Sequence, residues 1–423
     1  MKKWISLLVL AALLAGLAAG ALVRAYAPEL APAANVIEAF GGLWLNTLRM
    51  TVVPLIVALL ITGIASVSDT AKTGGLVLRA LILFTALIFF SATFAVLATQ
   101  SWLAAWPIDR AAADAFVAGI GDQAVAIREP PTFVSWLQSL APTNPVTAAA
   151  GDNILALAVF TIFFAFAVTQ LKPELREPIV TFFRAVSEAM IVIVHWVLLA
   201  GPIGVFALAL GVGLHTGFSA AGVIAQYVVI VTGVLAGSTV LAWIIAVLFS
   251  GQPVGRFTTA AIPVWAIAAS TQSSLASLPA MLEAALRGLQ IPSRIADVIL
   301  PLAVAIFRFT SPVGNLAVCF FVAHLYGLEP SLMQVIGAVF VAYAVSIAAV
   351  GLPGQVSFIA SIAPICIALG VPTEVLGILI AVEVIPDIFR TLGNVTGDLA
   401  ATSILARGRR REVEAKPEMV DAA

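Results

Sequence analysis

The chain has 423 residues, 61% of them hydrophobic and only 10% charged, with a mean hydropathy of +1.10. That excludes a soluble globular protein; apolar runs near the ~20 residues that a bilayer span needs recur along the chain, so a polytopic membrane protein is expected. The formal net charge of −1 leaves no nucleic-acid footprint, so the expected surroundings are a lipid membrane and no nucleic acid.

Residues 1–25 carry Lys2 and Lys3, then an apolar run, then small residues. That pattern also fits a secretory signal peptide, but the run is long for one, and an uncleaved first span is favoured. Lysines and arginines set the expected topology. Lys2 and Lys3 place the N-terminus inside, and Arg24, Glu29 and Glu38 lie outside. A second span is expected over about 40–67, with Lys72 and Arg79 inside, and a third over about 80–105. The mixed but acid-rich loop from Asp109 to Glu129 suits the outside. A fourth span over 133–169 is broken by Pro142, Asn144 and Pro145, and Lys172, Arg176 and Arg184 return inside. The fifth span carries Glu188 and His195 near its start and turns outside near His215. The sixth ends by Gln252 and Arg256, inside. Arg407, Arg409, Arg410 and Arg411 read as a cytoplasmic flank, so both termini are expected inside and the number of full crossings even.

Two later regions do not read as ordinary spans. Residues 254–290 hold two short apolar arms around Ser270, Thr271, Gln272, Ser273, Ser274 and Ser277, closed by Pro279, between basic flanks Arg256 and Arg287. A re-entrant helical hairpin entered from the cytoplasm is expected. Residues 332–369 repeat the pattern around Gly351, Leu352, Pro353 and Gly354 between Glu329 and Glu374, as a hairpin entered from outside. Non-helical backbone at membrane depth is tolerated only where protein buries it or it lines a cavity. Each hairpin precedes one full span, 298–323 and 376–405. Hairpin plus span, twice and inverted, is the plan of secondary transporters, with half-helix N-termini aimed at anionic groups near mid-membrane. The competing reading is ordinary helix interruption, since Pro, Gly and Ser also serve close packing in membrane helices.

The last span holds the strongest signal. Glu383, Asp387, Arg390, Asn394 and Asp398 recur at spacings of four, three, four and four, which is one face of a helix. One Asp or Arg at the centre of a membrane helix costs roughly 2.5–3.5 kcal/mol on insertion scales. The stripe must therefore face protein, water or a charged ligand. Asp387 and Arg390, at i and i+3, could instead simply pair with each other. Cys319 and Cys366 read as packing residues, and His195, His215 and His324 show no ligand spacing, so a zinc enzyme is not expected. Nor is any other enzyme, because no nucleophile–base pair or phosphate loop stands out.

The run Asp387-Ile-Phe-Arg390-Thr391-Leu-Gly-Asn394-Val-Thr-Gly-Asp398 resembles the signature of the glutamate/aspartate transporters, the dicarboxylate/amino acid:cation symporters. Also similar are Ser273-Ser274 with Leu278-Pro279, Gly351-Leu-Pro353-Gly354, Leu48-Arg49-Met-Thr-Val-Val-Pro54-Leu55, and Pro142-Thr-Asn144-Pro145 with Asn153. The resemblance runs from about residue 43 to 399. It implies an all-α fold of eight transmembrane helices and two re-entrant hairpins, a homotrimer, and an elevator mechanism. Residues 1–253 would form mainly the scaffold, with the third span (about 76–105) joining the transport domain. Residues 254–405 would be the transport core (hairpin 254–290, span 295–325, hairpin 332–370, span 375–405), and 406–423 a cytoplasmic tail. A bacterial inner-membrane location goes with it.

The resemblance also implies roles. Arg390 would hold a substrate side-chain carboxylate, Asp387 the amino group, and Asn394, Ser273, Ser274 and the Gly351, Pro353 and Gly354 backbone the α-carboxylate, with Thr391 assisting. Asp398 and Asn394 would line a sodium site. No cofactor is implied beyond sodium or a proton as coupling ion.

One departure concerns the ion. Where the family carries Asn-Met-Asp-Gly-Thr in its seventh span, this chain reads Phe307-Arg308-Phe309-Thr310-Ser311. Two oxygen-bearing side chains have become aromatic, and hard cations need oxygen ligands. Arg308 adds a fixed positive charge that could stand where a cation would neutralise Asp387 or Asp398; it could equally snorkel or pair structurally. Two carboxylates and two guanidiniums would then balance without an ion. Sodium coupling is expected to be altered or lost, with proton coupling through Glu383, or exchange, in its place. The helix should still break nearby, at Pro312 and Gly314. Gln272 stands where some relatives place an arginine. The reading is thus a symporter for acidic amino acids or dicarboxylates; an uncoupled exchanger or a transporter-like sensor of the same fold is the other one.

Overall fold

A computed structural model describes residues 3–71, 75–118, 141–151, 154–216, 219–348 and 354–407. Every regular element among them is helical. Four helical stretches are long and apolar enough to cross a membrane: Gly75–Ala105, Pro173–Leu199, Ala221–Phe249 and Ser293–Leu325; shorter apolar helices stand beside them.

The first span is one helix, α1 (Lys3–Tyr26). α2 (Ala31–Arg49) and α3 (Val52–Ala71) replace the single second span expected over 40–67. Pro54 explains the break: it has no N–H to give to the Met50 carbonyl, and its ring crowds that carbonyl. α4 (Gly75–Ala105) runs unbroken for 31 residues. After α5 (Arg110–Ala118) and the short α6 (Pro145–Ala150) comes α7 (Ile154–Thr169). Asn144 caps α6 through its side-chain oxygen, which accepts from the Val146 and Thr147 amides. The expected fifth span, from Glu188 to the turn near His215, is likewise not one helix. α8 (Pro173–Leu199) ends at Ala200, and α9 (Gly201–Thr216) starts with Pro202 in its first turn.

α1 lies against α9, and α9 against α2. Small residues permit the approach: Gly16 and Gly20 on α1 meet the Phe206 and Leu210 carbonyls, and Gly213 meets the Leu17 backbone. A side chain at any of these would enter the neighbouring backbone. Gly20→Val is therefore expected to lower the thermal unfolding temperature in detergent by several degrees, on the order of the 1–3 kcal/mol that overpacking costs. An unchanged midpoint would contradict this packing.

α10 (Ser219–Phe249) leads to the first hairpin, α11 (Val254–Thr271) and α12 (Ser274–Glu283), which pack on each other. The first arm has 18 residues, and the second has 10 and continues for 5 more as a wider helical turn, Ala284–Gly288; they rise only about 27 and 22 Å, short of a ~30 Å hydrocarbon core. Their joint is Gln272, left-handed at φ 53°, followed by Ser273, whose hydroxyl accepts from the Ala276 amide and so caps α12. The seventh span is broken as expected: α13 (Ser293–Ile306) and α14 (Ser311–Leu325) are separated by Phe307–Thr310. α15 (Leu332–Ala348) and α16 (Gly354–Leu369) are the arms of the second hairpin and pack together. Of its expected tip, Gly351 and Pro353 lie outside the described residues, and Gly354 opens α16. The short α17 (Leu376–Leu379) and a run of turns precede α18 (Val384–Leu405). Glu383 thus stands just ahead of the regular helix rather than in it, because Pro386 cannot donate to the Val382 carbonyl.

α18 packs on α10, α11 and α13, and α4 packs on α14. α4 also reaches the break in the seventh span: Phe84 stacks on Phe307 with ring centroids 4.5 Å apart, and the Ser91 hydroxyl donates to the Phe309 carbonyl at 2.8 Å. On its other side Phe89 stacks on Tyr343 of α15 at 4.5 Å. The start of α18 is therefore enclosed by the first hairpin, the broken seventh span and α10.

Candidate functional site

Arg390 is the centre of this enclosure. Its side chain is 11% exposed, and its Nη2 donates to Glu383 Oε1 at 2.7 Å. Nη1 donates to Asn315 Oδ1 of α14 at 3.0 Å. Nε stands 3.7 Å from Asp387 Oδ1, an ion pair, and is itself without a hydrogen-bond partner. Glu383 is fully buried and also accepts from the Tyr227 hydroxyl of α10 at 3.4 Å. The planar guanidinium is thus pinned from two sides, a geometry suited to carboxylate recognition.

Asp387 and Arg390 do pair, as their spacing allows, but the shorter contact of Arg390 is to Glu383. The charge balance expected for the site changes with it. Glu383, Asp387 and Asp398 are three carboxylates against Arg308 and Arg390, so two against two is an undercount.

Gly314 makes room for the guanidinium. A Cβ there would stand 2.7 Å from Arg390 Nη2 and 2.8 Å from Nη1. Gly314→Val is expected to push Arg390 off Glu383 and Asn315 and weaken carboxylate binding at least tenfold, about 1.4 kcal/mol. Isothermal titration with acidic solutes checks this; unaltered affinity would show that the guanidinium's position does not matter.

The other polar residues of α18 divide. Thr391 donates to the Asp387 carbonyl of its own helix at 2.9 Å. Asn394 Oδ1 accepts from the Thr310 amide at 3.0 Å and the Thr310 hydroxyl at 2.8 Å, and that hydroxyl also lies 2.7 Å from the Arg390 carbonyl. Thr310 therefore ties the break to α18, leaving the Asn394 amide as donor for a ligand. Thr396 is tied to the first hairpin by the Trp265 indole N–H at 2.8 Å. Asp398 is 1% exposed, and neither of its oxygens has a hydrogen-bond partner. Arg308, half-buried, lies within electrostatic reach of Asp398 and Asp387, and its Nε is buried without a partner. Ser311 is buried at the start of α14.

At the first hairpin tip, Ser273 and Ser274 are half-buried at the N-terminus of α12, whose amides point out of the helix end. Gln272 Nε2 donates to the Val384 carbonyl at 3.3 Å, which brings the tip to the start of α18. The structure thus gathers Arg390, Asp387, Asn394, Thr310 and the Gln272–Ser273 joint around one end of α18. Tyr227 and Asn315 are additional members that sequence reasoning missed. Asn315 did leave a signal, as the one amide in the largely apolar helix α14; Tyr227 left none.

This arrangement, in a polytopic helical protein, defines a class: a membrane transporter, with helix breaks and buried charge meeting at one place. The family model described as "Sodium:dicarboxylate symporter family" matches residues 5–408, and the chain belongs to that family. It is a multi-pass membrane transporter and not an enzyme. The "Proton/glutamate-aspartate symporter" of Escherichia coli is 27% identical over 376 residues, 88% of this chain and 85% of that protein. The human "Neutral amino acid transporter B(0)" is 28% identical over 457 residues, covering 98% and 82%. The "Proton/sodium-glutamate symport protein" of Bacillus subtilis is 26% identical over 399 residues, covering 91% and 89%.

Proposed function

We propose that the protein is a secondary active transporter for acidic amino acids or dicarboxylates. The observation that carries this reading is the buried Arg390, positioned by Glu383 and Asn315, with an Nε that faces Asp387 but makes no hydrogen bond. A buried guanidinium in this signature stretch suits a substrate carboxylate and has no use for a neutral side chain. That distinguishes the reading from one based on the relative named for neutral amino acids. In the bound state Arg390 takes the side-chain carboxylate, Asp387 an amino group, and the Asn394 amide with the two hairpin tips the α-carboxylate. Thr391 shapes the wall.

The hairpins, the seventh and eighth spans and α4 move together as the transport unit of an elevator, against a scaffold of the remaining helices, within a homotrimer in a bacterial inner membrane with both termini inside. Support for placing α4 in the moving unit comes from its contacts with Phe307, Phe309 and Tyr343.

The coupling ion in this reading is a proton. Glu383 and a substrate carboxylate compete for the same guanidinium, so binding of an acidic solute favours protonation of Glu383. The names of two relatives include a proton. Exchange without a driving ion is the second reading; it is favoured by the aromatic residues at 307 and 309, and loss of any response to an imposed proton gradient would select it. Uptake of labelled aspartate and succinate into proteoliposomes, with alanine and serine as competitors, tests the substrate class. Transport of neutral amino acids alone would overturn it.

A further inference from the structure

We propose that Arg308 is a resident counter-cation for Asp398, performing the electrostatic task of a bound sodium ion, so that this aspartate needs no ion from solution. This deepens the transport reading above and rests on it only for its consequence in transport.

The geometry begins at Gly397. A Cβ there would stand 2.9 Å from Phe309 Cβ and 3.4 Å from the Phe307 ring. Residues 307–310 therefore cross α18 right beside Asp398. The Asp398 carboxylate is buried and neither oxygen is hydrogen-bonded. A buried carboxylate in that condition demands a compensating charge.

The residues present do not fit sodium. A hard cation requires several oxygen ligands, whereas Phe307 and Phe309, each 1% exposed, present rings, and Phe84 stacks on the first of them. The oxygens of the crossing are already engaged. The Phe309 carbonyl accepts from Ser91, Asn394 Oδ1 accepts from the Thr310 amide, and the one Thr310 hydroxyl proton is shared between Asn394 Oδ1 and the Arg390 carbonyl. Among the described residues the positive charge that acts on Asp398 is Arg308, whose Nε is also buried and unpartnered. A guanidinium stays protonated across the physiological range. A carboxylate with no hydrogen bond and a guanidinium whose Nε has none thus lie beside one aromatic wall and compensate each other through space, without a direct ion pair.

The consequence is a tethered cation. It travels with the site in both directions and is never released. The empty site then returns without waiting for an ion, and the charge of Asp398 contributes nothing to coupling.

The test uses the full-length protein in detergent and follows thermal unfolding in sodium chloride against choline chloride. Wild type is expected to unfold at the same temperature in both salts. Arg308→Met should unfold several degrees earlier than wild type in both salts, because it leaves the Asp398 carboxylate buried without a counter-charge. Arg308→Met/Asp398→Asn should recover most of that loss and be more stable than the two single changes predict, because it removes both charges together. If Arg308→Met does not yield folded protein, Asp398→Asn and the double variant decide: the double variant should fold and unfold no earlier than Asp398→Asn, and a double variant that also fails to fold would overturn the proposal. A sodium-dependent midpoint in wild type, or strictly additive effects, would overturn the proposal. Neither readout uses a substrate. Failure of aspartate and succinate to bind in either salt would refute the substrate reading, while the role of Arg308 would still be decided by these melts.

Discussion

Arg390→Ala is expected to abolish binding of acidic solutes while the protein still reaches the membrane. The change removes the side chain that bridges Glu383 of the chain before α18, Asn315 of α14 and Asp387 of α18. Removing one partner of a buried ion pair costs about 3–5 kcal/mol, because the other charge stays behind without compensation. Applied to a substrate carboxylate, the same range is a loss of at least about a hundredfold in affinity. Glu383 suffers the same loss, so the variant should also melt earlier. Arg390→Lys is expected to recover part of the stability but little of the binding. An ammonium can pair with Glu383, but it cannot present two parallel donors. Direct titration with aspartate and succinate checks both variants. Wild-type affinity in Arg390→Ala would remove the basis for the assigned substrate class.

Glu383→Gln separates binding from proton coupling. Glutamine keeps the size and one acceptor for Arg390 but carries no charge and takes up no proton. Arg390 is then less occupied by an internal competitor, and acidic solutes are expected to bind as tightly as in wild type or tighter. Net uptake driven by an inward proton gradient should fall by more than tenfold, on the scale of about 1.4 kcal/mol per decade, while exchange of internal for external substrate persists. The Tyr227 hydroxyl, 3.4 Å from Glu383, can donate to the amide oxygen, so the fold should survive. Proton-driven uptake that is undiminished in Glu383→Gln would place the coupling proton elsewhere.

The charged stripe, both hairpins and the break in the seventh span were legible because each violates the apolar rule of a membrane protein. A charge at depth, a proline beside polar residues, or Pro312 after a polar run can be read from residue types alone. The breaks near Met50 and Ala200 were less visible. Pro54 and Gly201-Pro202 lie inside long apolar stretches, where hydropathy averages over them. The partnership of Arg390 with Glu383 was hidden for a different reason. Helical spacing favoured Asp387 at i−3, whereas the turn ahead of Val384 brings Glu383 to the guanidinium. Asn315 and Tyr227 come from other helices, and contacts over such sequence separations depend on tertiary packing. Phe307 and Phe309 were recognised as lost oxygen ligands, but only the fold shows them set against Gly397, beside an unpartnered Asp398.

The central claim is that a buried guanidinium makes this protein a carrier of acidic solutes driven by protons. The most direct measurement is uptake of labelled aspartate by proteoliposomes in sodium-free medium under an inward proton gradient. Accumulation above the external concentration is expected, collapsed by a protonophore and absent in Arg390→Ala. Accumulation that occurs only with a sodium gradient, or no concentrative uptake of any acidic solute, would contradict the claim.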